Sequence, residues 1–450
     1  MTIDAPAGPA GELHRRITAG EAVVGVVGMG YVGLPLMLAA TGAGLRVLGF
    51  DVDGPKVAGL NLGRSPLKHV GDDRVAAARE RGLFEATDDL SRLGEPDAVL
   101  VCVPTPLGPH REPDLSFVEG TARAIAERLR PGQLVVLEST TYPGTTEELV
   151  RPILEAGGLV SGRDFFLAYS PEREDPGNPD FGTSRIPKVV GGDGEAALGL
   201  ARALYDRFVD RTVPVSSLAT AEAVKLTENI FRAVNIALVN ELKVVYTAMG
   251  IDVFEVIGAA RTKPFGYMPF YPGPGLGGHC IPIDPFYLTW KAQEYGVRTR
   301  FVELAGEVNR DMPAWVVGRL AEALDRRAGR GLNGARVLLV GLAYKRDVDD
   351  VRESPAFAVW ELLEARGAVV AYHDPHVPEV PRTREHRRLA GRRSVPLTAE
   401  ALAGLDAAVV VTDHAAVDYR ALAASVGLIV DTRNVVARHA ADTGCEVVTA

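Results

Sequence analysis

From residue 21 onward, short runs of Val, Leu and Ile alternate with stretches of helical character, and this alternation restricts the chain to an α/β fold. The runs AVVGVVG (22–28), LRVLGFD (45–51), DAVLVCVP (97–104) and QLVVLEST (133–140) are apolar on consecutive residues. A strand buried on both faces has that pattern, and such strands occur in parallel sheets covered by helices. LPLMLAATGAG and SFVEGTARAIAERLR supply covering helices. Strands joined through helices make a doubly wound sheet.

At 450 residues the chain exceeds one ordinary core, so two or three domains are expected. Residues 1–20, rich in Ala, Gly and Pro, read as a flexible arm. Residues 21–214 form the first α/β domain. Between Pro214 and Gly250 there is no internal Pro or Gly, which predicts one long helix with Ser216 or Ser217 near its N-cap. Val224, Ile230, Val234 and Leu238 give it an apolar stripe. Such a helix serves as a domain spine or a dimer seam, and helical sequence continues to about residue 327. Residues 215–327 thus read as a central helical domain and 328–450 as a second α/β domain. There ARVLLVGLAY, AVVAYHDP, DAAVVVTDH and GLIVDTRN are strands and SPAFAVWELLEARG is a helix.

The formal net charge is -9 and no basic block is present, which argues against nucleic acid or an anionic membrane as partner. Cys102, Cys280 and Cys445 are far apart and odd in number, so neither a disulfide framework nor a metal cluster is expected, and a reducing cytoplasm fits. The N-terminus lacks an apolar signal-peptide core. Ala22 to Leu45 is uncharged and long enough to span a bilayer, but its six glycines and Pro35 fit a strand–turn–helix better.

Gly28-Met29-Gly30-Tyr31-Val32-Gly33 stands at the first strand-to-helix junction. Gly28 permits the tight turn, Gly30 lets a pyrophosphate approach the backbone, and Gly33 lets the helix pack on the sheet. The anion would lie at the helix N-terminus, where free N–H groups and the dipole favour negative charge. Asp51 ends the next strand, 18 residues beyond Gly33, placed to bind ribose hydroxyls and to repel a 2′-phosphate. NAD is therefore expected over NADP. Taken alone, the glycines could also be a tight turn in an α/β domain without cofactor. Gly341-Leu342-Ala343-Tyr344-Lys345, opening the second α/β domain, lacks the pattern.

The segment FGYMPFYPGPGLGGHCIPIDPFYLTW (265–290) crowds Gly273, Gly275, Gly277 and Gly278 before Cys280, with Asp284 four residues further on. A glycine-rich approach lets a ligand come close to the backbone. A helix starting near Pro282 would favour the thiolate of Cys280. A lone cysteine is more often an inert buried residue; the glycines and Asp284 weigh toward function here. His279 has no ligand-spaced partner and reads as structural or substrate-contacting. Lys225 and Asn229 share one face of the long helix, functional or merely solvated. Glu172 sits in a Pro-bounded loop, and Thr140 ends a strand at the carboxyl edge of the sheet.

These segments together resemble the UDP-glucose/GDP-mannose dehydrogenase family. The likeness covers roughly residues 22–440 and runs through GVVGMGYVGLPL, ESTTYPGT, YSPERE, EAVKLTENIFRAVNIALVNE, PGPGLGGHCIPIDP, GLAYKRDVDDVRESP and DTRN. The run around Cys280 looks most like UDP-N-acetylglucosamine 6-dehydrogenases. Ile283 stands where the UDP-glucose branch commonly has Lys, which agrees with an N-acetylhexosamine substrate. The resemblance implies two Rossmann-like domains joined by a helical domain that mediates dimerisation. By position, Cys280 matches the nucleophile, Lys225 and Asn229 the pair at the reacting oxygen, and Asp284, Glu172 and Thr140 the groups serving water and proton steps. The cofactor set is Gly28, Gly30, Tyr31, Val32, Gly33, Asp51, Val103, Thr105 and Arg352. The substrate set is Glu172, Arg173, Lys225, Asn229, Arg261, Tyr271, Gly275, Gly277, Lys345 and Arg433.

The implied reaction takes the C6 alcohol of a nucleotide-diphosphate sugar to a carboxylate in two hydride transfers. A UDP-N-acetylhexosamine or UDP- or dTDP-glucose would be oxidised through a Cys280 thiohemiacetal and thioester. Two rival readings are a two-electron hydroxyacid dehydrogenase and a non-catalytic NAD or nucleotide-sugar sensor. The first needs no second α/β domain, and the second has no use for Cys280, Lys225, Asn229 and Asp284 together.

Overall fold

A computed structural model describes residues 8–68, 70–108, 110–173, 184–278, 280–383, 386–440 and 442–450. The chain divides into two compact units, Met1–Glu228 with Phe286–Arg298, and Asn229–Pro285 with Thr299–Ala450.

In the first unit eight strands form one sheet: β1 (Val23–Val27), β2 (Arg46–Phe50), β3 (Phe84–Thr87), β4 (Ala98–Val101), β5 (Leu134–Leu137), β6 (Phe166–Tyr169), β7 (Lys188–Gly192) and β8 (Thr212–Pro214). Their order is β3-β2-β1-β4-β5-β6-β7-β8. β1 pairs in parallel with β2 on one side and β4 on the other, Val24 facing Val47 and Ala98. The winding therefore reverses beside β1, and ligands bind at the carboxyl ends of strands at such a switch point. Among the described residues of this sheet only the β6–β7 pair is antiparallel, with Tyr169 opposite Gly191. β4, β5 and β6 are buried at every residue, as unbroken apolar runs require. The uncharged stretch 22–45 is β1, the glycine turn and the helix Gly33–Gly42. Among the described residues no helix is long and apolar enough to cross a membrane.

The expected flexible arm is corrected for most of its length. Pro9–Ala19 is a helix with Pro in its first turn and a left-handed Gly20 at its C-cap. Ala10, Leu13 and Ile17 lie on one face and join the core. Burying a Leu or Ile side chain is worth roughly 1.5–3 kcal/mol, enough to outweigh the Ala/Gly/Pro-rich composition. Arg16 also donates to the buried Asp97 at 2.5 Å, and Arg130 reaches the same carboxylate at 2.7 Å.

In the second unit β9 (Arg336–Val340), β10 (Val369–His373), β11 (Ala407–Val410), β12 (Leu428–Asp431) and β13 (Glu446–Thr449) make a parallel sheet in the order β10-β9-β11-β12-β13. The Pro- and Gly-free run is one helix, Leu218–Ala248, with Ser217 Oγ accepting the Thr220 N–H at 3.1 Å as an N-cap. Arg300–Ala328 forms a second long helix, closed by Gly329 in the left-handed region.

Candidate active site

The glycine turn after β1 is built as its spacing demands. Gly28 has φ +93, and a Cβ there would lie 2.6 Å from the Cys102 carbonyl oxygen. At Gly33 a Cβ would come within 1.9 Å of the Gly28 oxygen, so only glycine allows the helix to start there. Gly30 differs: a Cβ would meet nothing within 4 Å. The protein itself gives no reason for glycine at this position, whereas a pyrophosphate against the backbone does. No side chain caps the helix that follows, so its first turn is open to an anion.

Asp51, buried at the end of β2, accepts the Met29 N–H at 2.9 Å, the Asp53 N–H at 3.0 Å and Lys56 Nζ at 2.8 Å. It is thus tied to the glycine turn. Beyond β4, the Val103 carbonyl accepts from Ser139 Oγ at 2.7 Å and that of Thr105 from Tyr287 OH at 2.9 Å. Tyr31 and Val32 are half-buried in the turn itself. These residues fit NAD: an anion cradle, a ribose carboxylate and two fixed loops at the switch point.

Thr140 and Glu172 follow β5 and β6. The loop beginning at Thr140 is held by Glu222, which accepts Gly144 N–H at 2.5 Å, Thr146 N–H at 2.9 Å and Thr146 Oγ1 at 2.7 Å. Burial pushes the Glu222 carboxyl up to about 7 against the pull of these hydrogen bonds. Lys225 donates to the backbone carbonyl of Glu172. Arg173 is committed to protein, donating to both oxygens of Glu228 and to the Pro187 carbonyl. Beneath this loop lies a buried trio that the sequence did not single out. Lys188 Nζ meets Glu138 Oε2 at 2.5 Å, and Tyr205 OH donates to Glu138 Oε1.

In the second unit Asn229 donates to the carboxylate of Asp284, both buried, and Arg232 donates to the Asn229 side-chain oxygen. The helix Cys280–Glu294 starts at Cys280 itself, two residues before the expected Pro282. Asp284 is thus about one helical turn beyond the cysteine. The structure describes the backbone of Cys280 but not its side chain, and His279 lies outside the described residues. Arg261 donates to Tyr271 OH at 3.2 Å, which brings two of the expected substrate residues together on an exposed surface.

At each glycine before Cys280 a side chain would meet neighbouring protein atoms. A Cβ would lie 2.8 Å from Arg433 Nη1 at Gly273, 3.2 Å from Pro355 at Gly275, 2.6 Å from Tyr344 Cβ at Gly277 and 2.9 Å from the Tyr344 ring at Gly278. At Gly275 and Gly277 the absent side chains let the loop pack closely on Pro355 and Tyr344. The loop is fastened by Gly273 N–H to Asn240 Oδ1 at 2.9 Å and Gly278 N–H to the Arg352 carbonyl at 3.1 Å. Arg352 points its guanidinium at Asp350, while Arg433 donates to the Val411 carbonyl at 2.8 Å. Lys345 is half-buried in the loop after β9.

Loops after β9, β10 and β11 bring ligand atoms of Asp347, His376 and His414 within 4.8 Å of one another. Both ring nitrogens of His414 are already engaged: Nδ1 accepts the Asp347 N–H at 2.9 Å, and Nε2 meets Asp374 at 3.0 Å. His414 thus fastens Asp347 and Asp374 to each other, while the His376 ring lies 3.7 Å from Asp347.

A dinucleotide cradle on one parallel sheet and a second parallel sheet without one define a nicotinamide-dependent dehydrogenase with an added α/β domain. The chain belongs to the UDP-glucose/GDP-mannose dehydrogenase family. Residues 22–209 match its NAD binding domain, 219–311 its central domain and 338–438 its UDP binding domain. A UDP-N-acetyl-D-glucosamine 6-dehydrogenase of Pseudomonas aeruginosa is 39% identical over 356 residues, 79% of this chain and 83% of that protein. A UDP-N-acetyl-D-mannosamine dehydrogenase of Pyrococcus horikoshii is 34% identical over 420 residues, 92% of this chain and 96% of that protein. The solved structure of a UDP-D-ManNAc dehydrogenase from Pyrococcus horikoshii superposes with a TM-score of 0.85 at 33% identity, covering 95% of this chain and 99% of that chain. The protein is an NAD-dependent nucleotide-sugar 6-dehydrogenase that binds a nucleotide sugar.

Proposed function

We propose that this dehydrogenase oxidises the C6 alcohol of a UDP-N-acetylhexosamine to the uronic acid in one four-electron sequence, with Cys280 carrying the intermediates. The observation that best supports this is local. A helix opens at Cys280, a helix N-terminus favours a thiolate, and Asp284 one turn on is buried in a hydrogen bond with Asn229.

NAD, held by the Gly28–Gly33 turn and Asp51, would supply the hydride acceptor for each half of the reaction. Cys280 adds to the aldehyde left by the first transfer, giving a thiohemiacetal whose carbon again carries a donatable hydrogen. The second transfer leaves a thioester, which water cleaves to the acid and the free thiolate. Lys225 and Asn229 are suited to the developing oxyanion, and losing one such donor costs about 10²–10³ in rate. Glu172, Thr140 and Asp284 serve the hydrolytic water. Arg173, Arg261, Tyr271, Lys345 and Arg433 serve the substrate, and Arg352 the cofactor.

The sugar class is supported by Ile283 and by the N-acetylhexosamine enzymes among the relatives. A homodimer is supported by Phe231, Leu238 and Val245, spaced seven apart on the long helix and each about half exposed. We retain the reading of three domains, 21–214, 215–327 and 328–450, and of a cytoplasmic setting.

The test is stoichiometry over a panel of UDP-, dTDP- and GDP-sugars. Two NADH per acid are expected, greatest with a UDP-N-acetylhexosamine, and Cys280→Ser should bind NAD yet make no acid in steady state. One NADH per product, or full turnover by that variant, would exclude covalent four-electron catalysis.

A further inference from the structure

Glu172 is held at two points by two buried lysines. Lys225 takes its backbone carbonyl; Lys188, the first residue of β7, lies below its side chain. Because β7 runs antiparallel to β6, it returns beneath the loop that leaves β6 at Tyr169. An ammonium has three donors. Those of Lys188 face Glu138 Oε2 at 2.5 Å, the Pro171 carbonyl at 3.2 Å and Glu172 Oε2 at 3.6 Å.

The charges around this lysine do not balance at Glu138 alone. Glu138 is buried and already receives Tyr205 OH on one oxygen and Lys188 on the other. One cation is therefore shared between two carboxylates. Burial pulls the Lys188 ammonium toward neutrality, but Glu138 and Glu172 outweigh it and its pKa is raised. Stability is a weak reason to keep such a group, since replacing a buried ion pair by hydrocarbon is often neutral or stabilising. A cation 3.6 Å from Glu172 Oε2 is beyond hydrogen-bond length, yet close enough to orient the carboxylate.

We propose that Lys188 is a positioning residue for Glu172: anchored by Glu138, it orients the Glu172 carboxylate, the group assigned above to the water that cleaves the Cys280 thioester. This rests on the thioester route proposed above. Lys188 does not touch the sugar. Both hydride transfers proceed without it, and the hydrolytic step depends on it. In that step water adds to the thioester carbonyl as its proton passes to Glu172. The C–S bond then breaks, releasing the carboxylic acid and the Cys280 thiolate.

The experiment is a rapid-mixing measurement on the full-length enzyme with NAD and UDP-N-acetylglucosamine. Lys188→Met should give a burst of two NADH per active site at the wild-type rate. Its steady state should be slower by about 100-fold, the lower end for loss of a general base. Intact mass should then show accumulated acyl-enzyme. Hydroxylamine, which attacks a thioester without a positioned base, should restore turnover and yield the hydroxamate. A merely structural defect would not be rescued in this way.

Should Lys188→Met fail to fold, Lys188→Met combined with Glu138→Leu replaces the pair by hydrocarbon and should show the same slow hydrolysis and the same rescue. Hydrolysis within twofold of wild type in either folded variant overturns the proposal. So does a loss that falls equally on the burst. A wild-type burst of one NADH with no hydroxamate would instead remove the thioester route itself, and that failure appears in the unsubstituted enzyme.

Discussion

Two glycine-rich loops in this chain look alike on paper and are built for opposite purposes. In the turn Gly28–Gly33, two glycines satisfy the protein and one, Gly30, faces open space. In the loop Gly273–Gly278, every missing Cβ is replaced by a neighbouring protein atom. In the first loop one glycine faces no protein atom; the second uses its glycines to lie flat against Tyr344, Pro355 and Arg433. Glycine density therefore does not distinguish a ligand cradle from a packing seam. What distinguishes them is which atom stands where the side chain would have been.

Three substitutions sharpen this contrast. Gly33→Ala should act most strongly, because a methyl group 1.9 Å from a backbone oxygen has nowhere to go. A loss of about 4 kcal/mol or more is expected, read as unfolded or insoluble protein by circular dichroism. A well-folded Gly33→Ala variant would contradict the close helix approach. Gly277→Ala comes next, at 2.6 Å from Tyr344 Cβ. About 1–3 kcal/mol should be lost by overpacking, seen as a lower Tm with NAD affinity unchanged. If Tm held and substrate binding alone fell, the loop would be a ligand surface after all. Gly30→Ala should leave Tm unchanged and weaken NAD by about tenfold or more, roughly 1.4 kcal/mol, in a calorimetric titration. Equal NAD affinity would mean that the open space at Gly30 is not where pyrophosphate lies.

The fold was legible where the physics is local. Buried strands wrote themselves as unbroken apolar runs, and the turn after β1 required glycines at fixed spacing. The long helix followed from the missing Pro and Gly, and its cap from Ser217. What escaped lacked a local signature. The helix Pro9–Ala19 carries only Ala10, Leu13 and Ile17 as its stripe, and composition masked it. Lys188, Glu138 and Tyr205 are 50 and 67 positions apart as paired, so no spacing announces them. Glu222 hides in the long helix, where its role depends on a loop some 76–78 residues away. At the Gly273–Gly278 loop, too, sequence reports a missing side chain without reporting what fills its place.

Asp97 bears on where the protein begins as a physical object. The match to the family's NAD binding domain starts at residue 22, yet the carboxylate at the foot of β4 is clasped by Arg16 from before that point and by Arg130 from beyond it, and it also accepts the Val23 N–H at 2.9 Å. A chain trimmed to the limits of the likeness would strip one cation from a buried anion and uncover Leu13 and Ile17's side of the sheet. The limit of the domain match and the limit of the packed core differ here by a helix.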